Sequence, residues 1–265
     1  MVYSDISNYE LQHEIGRGGF STVYKAINKI TNEIVAIKKI NRSKTEDEII
    51  QNEIDAINKL IEKNINIIHI HNYILTTNSL YIIMDYVEGE ELFNYINRKS
   101  GLSDYKIEKI FKQIILSVLY CHNILLCHRD IKLENFLIYK NENIKLIDFG
   151  FATCARNNLT NVVGTAHYTA PEMIEKPFYD GKKIDMWALG IVLYILKYKQ
   201  YPFQGRSLKE IPKKVYKHEK HIYLSDHIYY PYECNDKIKR SLEGLICKDL
   251  DKRLSIDQLY TIWND

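Results

Sequence analysis

The stretch HRDIKLEN, residues 128–135, contains five residues that carry or can carry a charge. It lies between apolar runs at residues 124–126 and 136–138, which are typical of buried structure. Ionisable groups between buried segments cost free energy unless they are paired or take part in chemistry. The stretch therefore predicts a functional polar loop inside the protein.

A second polar cluster begins ten residues further along the chain. The strand-like run IKLI, residues 144–147, leads into the sequence DFG at residues 148–150. An aspartate that leaves a strand can merely cap the turn that follows. If a hairpin brings Asp148 next to Asn135, their oxygen atoms could instead hold Mg²⁺, which prefers oxygen ligands. The residues alone leave both interpretations open.

Two features near the start of the chain are compatible with phosphate binding. GRGGFSTV, residues 16–23, contains glycines that let the backbone offer N–H groups to phosphate, although glycine also marks ordinary hairpin turns. A strand follows it, which argues against a Rossmann loop or a P-loop. Lys38 shares one strand face with Ala36. It is either a solvated surface lysine or, if the glycine loop covers phosphates, a residue that points at them.

The apolar pattern divides the chain into a strand-rich first part and a helical second part. Short β-branched runs predict five strands, at residues 10–15, 23–26, 34–40, 68–75 and 80–85. A helical period predicts an amphipathic helix over residues 46–63 and further helices over 92–98 and 104–122, the last capped by Ser103. This order predicts an α+β fold of two lobes, with a ligand cleft near residues 84–91.

The composition argues against several other classes of protein. The 36 Lys and Arg residues balance 34 Asp and Glu residues, so we expect no basic face for nucleic acid. The five cysteines form no CxxC pair, which argues against a disulfide framework or a structural zinc site and for a reducing compartment. The first residues lack the apolar core of a signal peptide, and residues 188–196 are too short to span a membrane. We expect a cytoplasmic monomer, with access to the nucleus left open.

These motifs together resemble those of the eukaryotic protein kinases, from about residue 9 to residue 263. In order, the matches are GxGxxSxV at 16–23, VAIK at 35–38, HRD with Lys132 and Asn135, DFG at 148–150, APE at 170–172, DMWALG at 185–190, and Arg253. Lys132 with Gly164-Thr165 resembles the serine/threonine kinases. The runs at residues 148–153 and 164–172 most resemble the calmodulin-dependent, calcium-dependent and SNF1-related kinases.

The resemblance implies a bilobal α+β kinase fold over residues 1–265. Its smaller lobe, residues 9–84, would hold a five-stranded antiparallel sheet and the helix that kinases call αC. Residues 85–91 would form the hinge, and residues 92–265 the larger, mainly helical lobe. The implied reaction is transfer of the γ-phosphoryl group of Mg-ATP to serine or threonine hydroxyls of proteins, with Mn²⁺ as a possible substitute for Mg²⁺.

The resemblance also assigns four catalytic roles. Lys38 would hold the α- and β-phosphates and pair with Glu53 of αC, although Glu46 and Glu48 are nearby alternatives. In the catalytic loop, residues 128–135, two residues would act on the substrate: Asp130, which would accept the proton of its hydroxyl, and Lys132, which would stabilise the transferred phosphoryl group.

The remaining site residues implied by the resemblance would bind the nucleotide and its metal. Asn135 and Asp148 would hold Mg²⁺. Met84 would be the gatekeeper, and the backbone of residues 85–87 would hold adenine. The full set of nucleotide-binding candidates is Gly16, Arg17, Gly18, Gly19, Phe20, Ser21, Val23, Ala36, Lys38, Met84, Asp85, Val87, Glu91, Glu134, Asn135, Leu137 and Asp148. A buried ion pair between Glu172 and Arg253 would support the activation segment, residues 151–169.

Three residues bear on regulation and substrate specificity: Thr160, Glu91 and Glu134. Thr160 is the best candidate for activating phosphorylation, but it lies one position earlier than the usual site, where this chain has Asn161. We therefore expect basal activity without its phosphorylation. Glu91 lies where basophilic relatives meet an Arg three residues before the phosphorylated residue, and Glu134 adds negative charge; contact with the ATP ribose is the alternative role of Glu91.

An alternative to catalysis is a pseudokinase, which would bind nucleotide or partners without transferring phosphate. Such proteins usually lack the strand lysine, the HRD aspartate or the DFG aspartate. Because Lys38, Asp130 and Asp148 are all present, we expect an active enzyme whose partners are ATP and protein substrates with basic residues before Ser or Thr.

Overall fold

A five-stranded antiparallel sheet is built from the first part of the chain. Its strands are β1 (Tyr9–Arg17), β2 (Ser21–Asn28), β3 (Ile34–Asn41), β4 (Ile70–Leu75) and β5 (Ser79–Asp85), in the order β1-β2-β3-β5-β4. These bounds come from a computed structural model that describes residues 5–19, 21–60, 62–154, 158–203 and 230–264. The predicted five-stranded sheet is confirmed.

The central strand β3 is buried on both faces, which explains its nearly continuous apolar sequence. Val35 and Ile37 pack with Ala26 and Ile83 on one side of the sheet. On the other side Ala36 belongs to the main core. Side chains alternate along a strand, so Lys38 projects from the same face as Ala36.

Helix α1 (Asp47–Lys59) provides the apolar stripe that packs toward the main core. Glu53 lies within this stripe and is only 4% exposed, beside Ile50, Ile54 and Ile57. A buried carboxylate on an apolar stripe needs a partner, because its desolvation is otherwise uncompensated. The stripe thus turns Glu53 toward the interior of the lobe.

The prediction that this helix extends over residues 46–63 is wrong at its end. The helix closes at Leu60, whose N–H donates to Ala56 O and Ile57 O. Leu60 is 3% exposed although it has left helical geometry, so its apolar side chain continues the periodic pattern beyond the helix. Ile61, which the predicted stripe included, lies outside the described residues.

The second part of the chain is mainly helical in the residues that the structure describes. The helices are α2 (Leu92–Arg98), α3 (Asp104–Asn123), α4 (Glu172–Glu175), α5 (Gly181–Tyr198), α6 (Asp236–Leu245) and α7 (Ile256–Asn264). The short strands are β6 (Gly89–Glu91), β7 (Leu126–Cys127), β8 (Phe136–Tyr139), β9 (Asn143–Leu146) and β10 (Thr153–Cys154). The predicted α+β arrangement, a five-stranded antiparallel sheet followed by a mainly helical part, is confirmed; the lobe boundaries at residues 84, 91 and 92 stay a prediction.

Helix α5 is the centre of this helical part. Nearly all of its residues are buried, which is typical of a helix surrounded by protein on every side. Asp180 caps its start by accepting from the N–H groups of Lys182 and Lys183. Ser103 likewise caps α3 through Lys106 N–H, as predicted. Among the described residues, no helix has the length and apolarity that crossing a membrane requires.

A buried ion pair joins α4 to the segment before α7. Arg253 Nη1 lies 2.5 Å from Glu172 Oε1, and Nη2 lies 3.1 Å from Oε2. The guanidinium also donates to Cys247 O and Lys183 O and lies 5.0 Å from the ring centre of Trp187. The ion pair implied by the kinase resemblance is confirmed, and it anchors the end of the activation segment.

We expect Arg253→Met to lower the free energy of unfolding by about 3–5 kcal/mol, because it leaves the Glu172 carboxylate buried without its partner. Urea denaturation measures this loss. The control is Lys252→Met, since the Lys252 side chain is 79% exposed and pairs with Asp249 on the surface; its loss should stay below about 1 kcal/mol. Equal, small losses in both variants would contradict a structural role for the pair.

Candidate active site

The loop at residues 128–135 is held by a buried carboxylate of helix α5. Asp185 is 1% exposed and accepts the backbone N–H groups of His128 at 2.9 Å and Arg129 at 2.8 Å. His122 Nε2 lies 3.0 Å from the same carboxylate. Arg129 has a φ of 63°, a left-handed conformation that costs a non-glycine residue about 1–3 kcal/mol. Asp185 stabilises this turn, which aims the next residue, Asp130, into the site.

Asp130 is held in one orientation by three side-chain donors. Lys132 Nζ lies 2.8 Å and Asn135 Nδ2 3.0 Å from its Oδ2. Thr165 Oγ1 donates to Oδ1 at 3.1 Å and accepts from Lys132 Nζ at 3.0 Å. The carboxylate is only 7% exposed, so these contacts preorganise it rather than leave it to solvent.

Gly164 allows the activation segment to approach this loop closely. Its φ is +92°, and a Cβ atom at this position would lie 2.7 Å from Arg129 O. A residue with a side chain would therefore be strained and would collide with the backbone of the loop. This contact places Thr165 next to Asp130.

On the sheet side, Lys38 joins α1 to the DFG sequence. Its Nζ lies 2.5 Å from Glu53 Oε1 and 2.8 Å from Asp148 Oδ1. Glu46 and Glu48, the alternatives to Glu53, lie at the start of α1 and line a cavity with Arg129 instead. Of the three acids, the structure brings only Glu53 to Lys38.

The charges in this network determine its protonation. Burial by itself lowers the pKa of Lys38, but the charges of Asp148 and Glu53 outweigh burial and hold that pKa above its usual value. Burial raises the pKa of Asp148, yet the charge and hydrogen bond of Lys38 bring it down to about 2. Burial also raises the pKa of Glu53, a rise that the charge of Lys38 opposes. At neutral pH the Lys38 cation therefore faces the ionised Asp148 carboxylate.

The residues near Asp148 fit a divalent cation. Asn135 Nδ2 donates to Asp130 O and Oδ2, which leaves the amide oxygen of Asn135 available to a metal. Ile147 N–H donates to Asn135 O at 3.0 Å, so the β8–β9 hairpin brings Asn135 and Asp148 together. The described residues contain no group of three or more His, Cys, Asp or Glu that could hold a metal alone. A cation here would need further oxygen atoms, such as those of phosphate, as Mg²⁺ usually has.

The glycine-rich candidates form the turn between β1 and β2. Gly18 N–H donates to Ser21 O at 2.8 Å, and Gly16 pairs with Val23 across the two strands. The Arg17 side chain is 69% exposed and pairs with Glu14, so it is engaged on the surface. Gly19 lies at the tip of the turn, and Phe20 lies outside the described residues.

Three apolar candidates surround Lys38 on its face of the sheet. Val23 lies opposite Lys38 between β2 and β3, and Ala36 lies opposite Met84 between β3 and β5. All three belong to or pack against the main core. Leu137 lies opposite Glu91 between β6 and β8, on the other side of the connection between the two parts of the chain.

The connection after β5 leaves backbone polar groups free. Asp85 N–H donates to His69 O at 3.0 Å, and its carboxylate lies 3.0 Å from His71 Nε2. In the described part of the chain, no backbone hydrogen bond engages Val87. Val87 thus offers a free N–H and C=O of the kind that can recognise the edge of a planar base.

Two acidic candidates lie beside Lys132. Glu91 is exposed, and partial desolvation together with the charge of Glu134 raises its pKa, while Lys132 opposes this rise. Glu134 Oε2 accepts from the hydroxyl of Tyr168 at 3.4 Å. The two carboxylates thus lie close enough to influence each other, with Lys132 nearby.

A family model described as "Protein kinase domain" matches residues 9–262. The chain belongs to the protein kinase family. CBL-interacting protein kinases 14 and 15 of Oryza sativa subsp. japonica are each 34% identical to it over 96% of its residues. The kinase domain spans 58% of the length of these curated relatives. The predicted resemblance to the protein kinases is confirmed.

Several contacts of this kinase domain were not predicted from its motifs. The ring of Phe149 is 3% exposed and lies 5.1 Å from the ring of His128, which joins the DFG and HRD sequences. Thr165 and Asp185 occur within motifs that the sequence analysis quoted, but their partners are more than 30 residues away. Their positions within these motifs are the only sign in the sequence that the two residues are functional. Their contacts follow from the fold alone.

Proposed function

We propose that this kinase domain is a protein serine/threonine kinase that transfers the γ-phosphoryl group of ATP to protein hydroxyls. The observation that carries the proposal is the arrangement around Asp130. One oxygen of its carboxylate is held by Lys132 and Asn135, and the other by Thr165. A fixed carboxylate beside a lysine suits an acceptor hydroxyl that must lose a proton while negative charge moves onto the phosphoryl group.

The nucleotide side of the proposal rests on Lys38, Asn135 and Asp148. Use of ATP and a divalent metal is general in the family. We propose Mg²⁺, held by the Asn135 amide oxygen and the Asp148 carboxylate, with Mn²⁺ as a substitute. When bound, the metal would neutralise charge between the β- and γ-phosphates. Lys38, kept charged by Glu53 and Asp148, would orient the α- and β-phosphates.

Serine or threonine is the proposed acceptor, because Lys132 also contacts the activation segment. Its Nζ donates to Thr165 Oγ1 while it pairs with Asp130. The pattern of Lys132 with Gly164-Thr165 is the one that resembles serine/threonine kinases. The pseudokinase alternative has no observation in its favour, since Lys38, Asp130 and Asp148 are present and paired.

Asp130→Asn tests the proposed transfer. The change removes the proton acceptor but keeps the side-chain shape, so we expect kcat to fall by roughly 10²–10⁴ while nucleotide affinity changes little. Transfer of labelled phosphate to a basic serine peptide and calorimetric ATP binding measure the two quantities. Asp251→Asn, on an exposed turn, is the matched control. Wild-type protein that binds ATP and transfers no phosphate to any hydroxyl peptide would identify a pseudokinase.

The proposed substrates carry arginine three residues before the phosphorylated Ser or Thr. Glu91 and Glu134 support this preference, because Glu91 is partly desolvated and the charge of Glu134 raises its pKa, which the charge of Lys132 opposes. An arginine of the substrate would relieve the repulsion between them. The pKa of Glu91 is raised, so protonation weakens this interaction at a higher pH than for an ordinary glutamate.

We expect Glu91→Gln to lower kcat/KM about 10–150-fold on a peptide with that arginine and hardly at all on its alanine version, since a charge-assisted hydrogen bond is lost. In the wild type the preference for the arginine peptide should decline as Glu91 is protonated, at a higher pH than an ordinary glutamate would give, and in the variant it should be flat. Glu90→Gln is the control, because Glu90 pairs with Arg98. Equal losses on both peptides would assign Glu91 to ATP.

A further inference from the structure

Arg129 of the catalytic loop already has two partners. One lies in the activation segment, and the other is Tyr179, the residue before the Asp180 cap of α5. Its Nε donates to Phe151 O at 2.7 Å, and its Nη1 lies 3.5 Å from the hydroxyl of Tyr179. The guanidinium thus binds the start of the activation segment without any phosphate group. Tyr179 is the second member of this contact.

Tyr179 contacts the middle of the activation segment at two points. Its backbone forms two hydrogen bonds with Leu159, at 3.1 and 2.9 Å. Its hydroxyl donates to Asn161 O at 2.5 Å while accepting from Arg129. The side chain is nearly fully buried, at 2% exposure, so these bonds are shielded from water.

The surroundings of Arg129 are unfavourable for a phosphate on Thr160. Thr160 lines one cavity together with Arg129, Glu48 and Asp55. A phosphate group would bring a charge of about −2 next to these acidic side chains of α1. Arg129, whose guanidinium is the one that lines this cavity among the described residues, is already engaged by Phe151 O and by Tyr179.

We infer that Tyr179 is a positioning residue that holds the activation segment in place of a phosphate. Its hydroxyl links Asn161 to Arg129. Three residues further along the chain, Gly164 packs against the carbonyl of Arg129. Through this link the segment delivers Thr165 to Asp130. The inference rests on the proposed kinase activity and specifies how that activity is regulated.

Tyr179→Phe tests the inference, because it keeps the ring and the backbone bonds to Leu159 and removes both hydroxyl bonds. We expect kcat/KM for a peptide substrate to fall about tenfold with unchanged ATP affinity, and amide hydrogen exchange in residues 158–163 to accelerate. Tyr232→Phe is the control, since its hydroxyl also donates to a backbone carbonyl, Lys197 O, away from the catalytic loop. It should change neither quantity.

Wild-type protein provides a second test that needs no change at Tyr179. Wild-type protein is treated with phosphatase, and mass spectrometry verifies that phosphate has been removed. The treated wild type and the Thr160→Ala variant should each keep activity within about threefold of the untreated wild type. A hundredfold loss that phosphorylation of Thr160 restores would overturn the inference, as would Tyr179→Phe with wild-type exchange and activity. Amide exchange does not depend on phosphoryl transfer. If the protein transferred no phosphate, the exchange measurement would therefore still decide the role of Tyr179.

Discussion

The buried carboxylate of Asp185 is the constraint on which the site depends. It satisfies two consecutive backbone N–H groups, those of buried His128 and half-buried Arg129. An unsatisfied buried N–H costs about 1–3 kcal/mol, and the left-handed residue Arg129 adds a similar strain. Helix α5 is buried on all sides, so the acceptor itself is rigidly placed.

Two neighbouring side chains of the catalytic loop, Arg129 and Asp130, project from this fixed turn in different directions. Asp130 projects toward Lys132 and Thr165, where the proposed acceptor hydroxyl would lie. The Arg129 side chain projects toward the activation segment. The sheet joins this arrangement through the contact of His128 with Phe149 and through Asp148, the residue before it, which pairs with Lys38. Groups from both parts of the chain thus meet in one charged network.

Much of this arrangement could be predicted from local sequence. The five strands follow from their β-branched runs, while the preference for Glu53 over Glu46 and Glu48 follows from the kinase resemblance, since the residues after Glu53 fit the family's pattern for the αC helix. The end of that helix was not predictable from periodicity, because Leu60 stays buried after leaving it. The contacts of Asp185 and Tyr179 were also out of reach, since they join residues 18 to 63 positions apart. Only the packing of α5 against the loop brings them together.

Amide hydrogen exchange of His128 and Arg129 in the wild-type protein, followed by NMR, tests the central role of Asp185 most directly. If both N–H groups are held by the buried carboxylate, they should exchange within about tenfold of the slowest amides of α5, because only extensive unfolding would release them. Exchange as fast as at exposed loop residues such as Gly101 would show that the loop opens independently of α5, and would contradict the account.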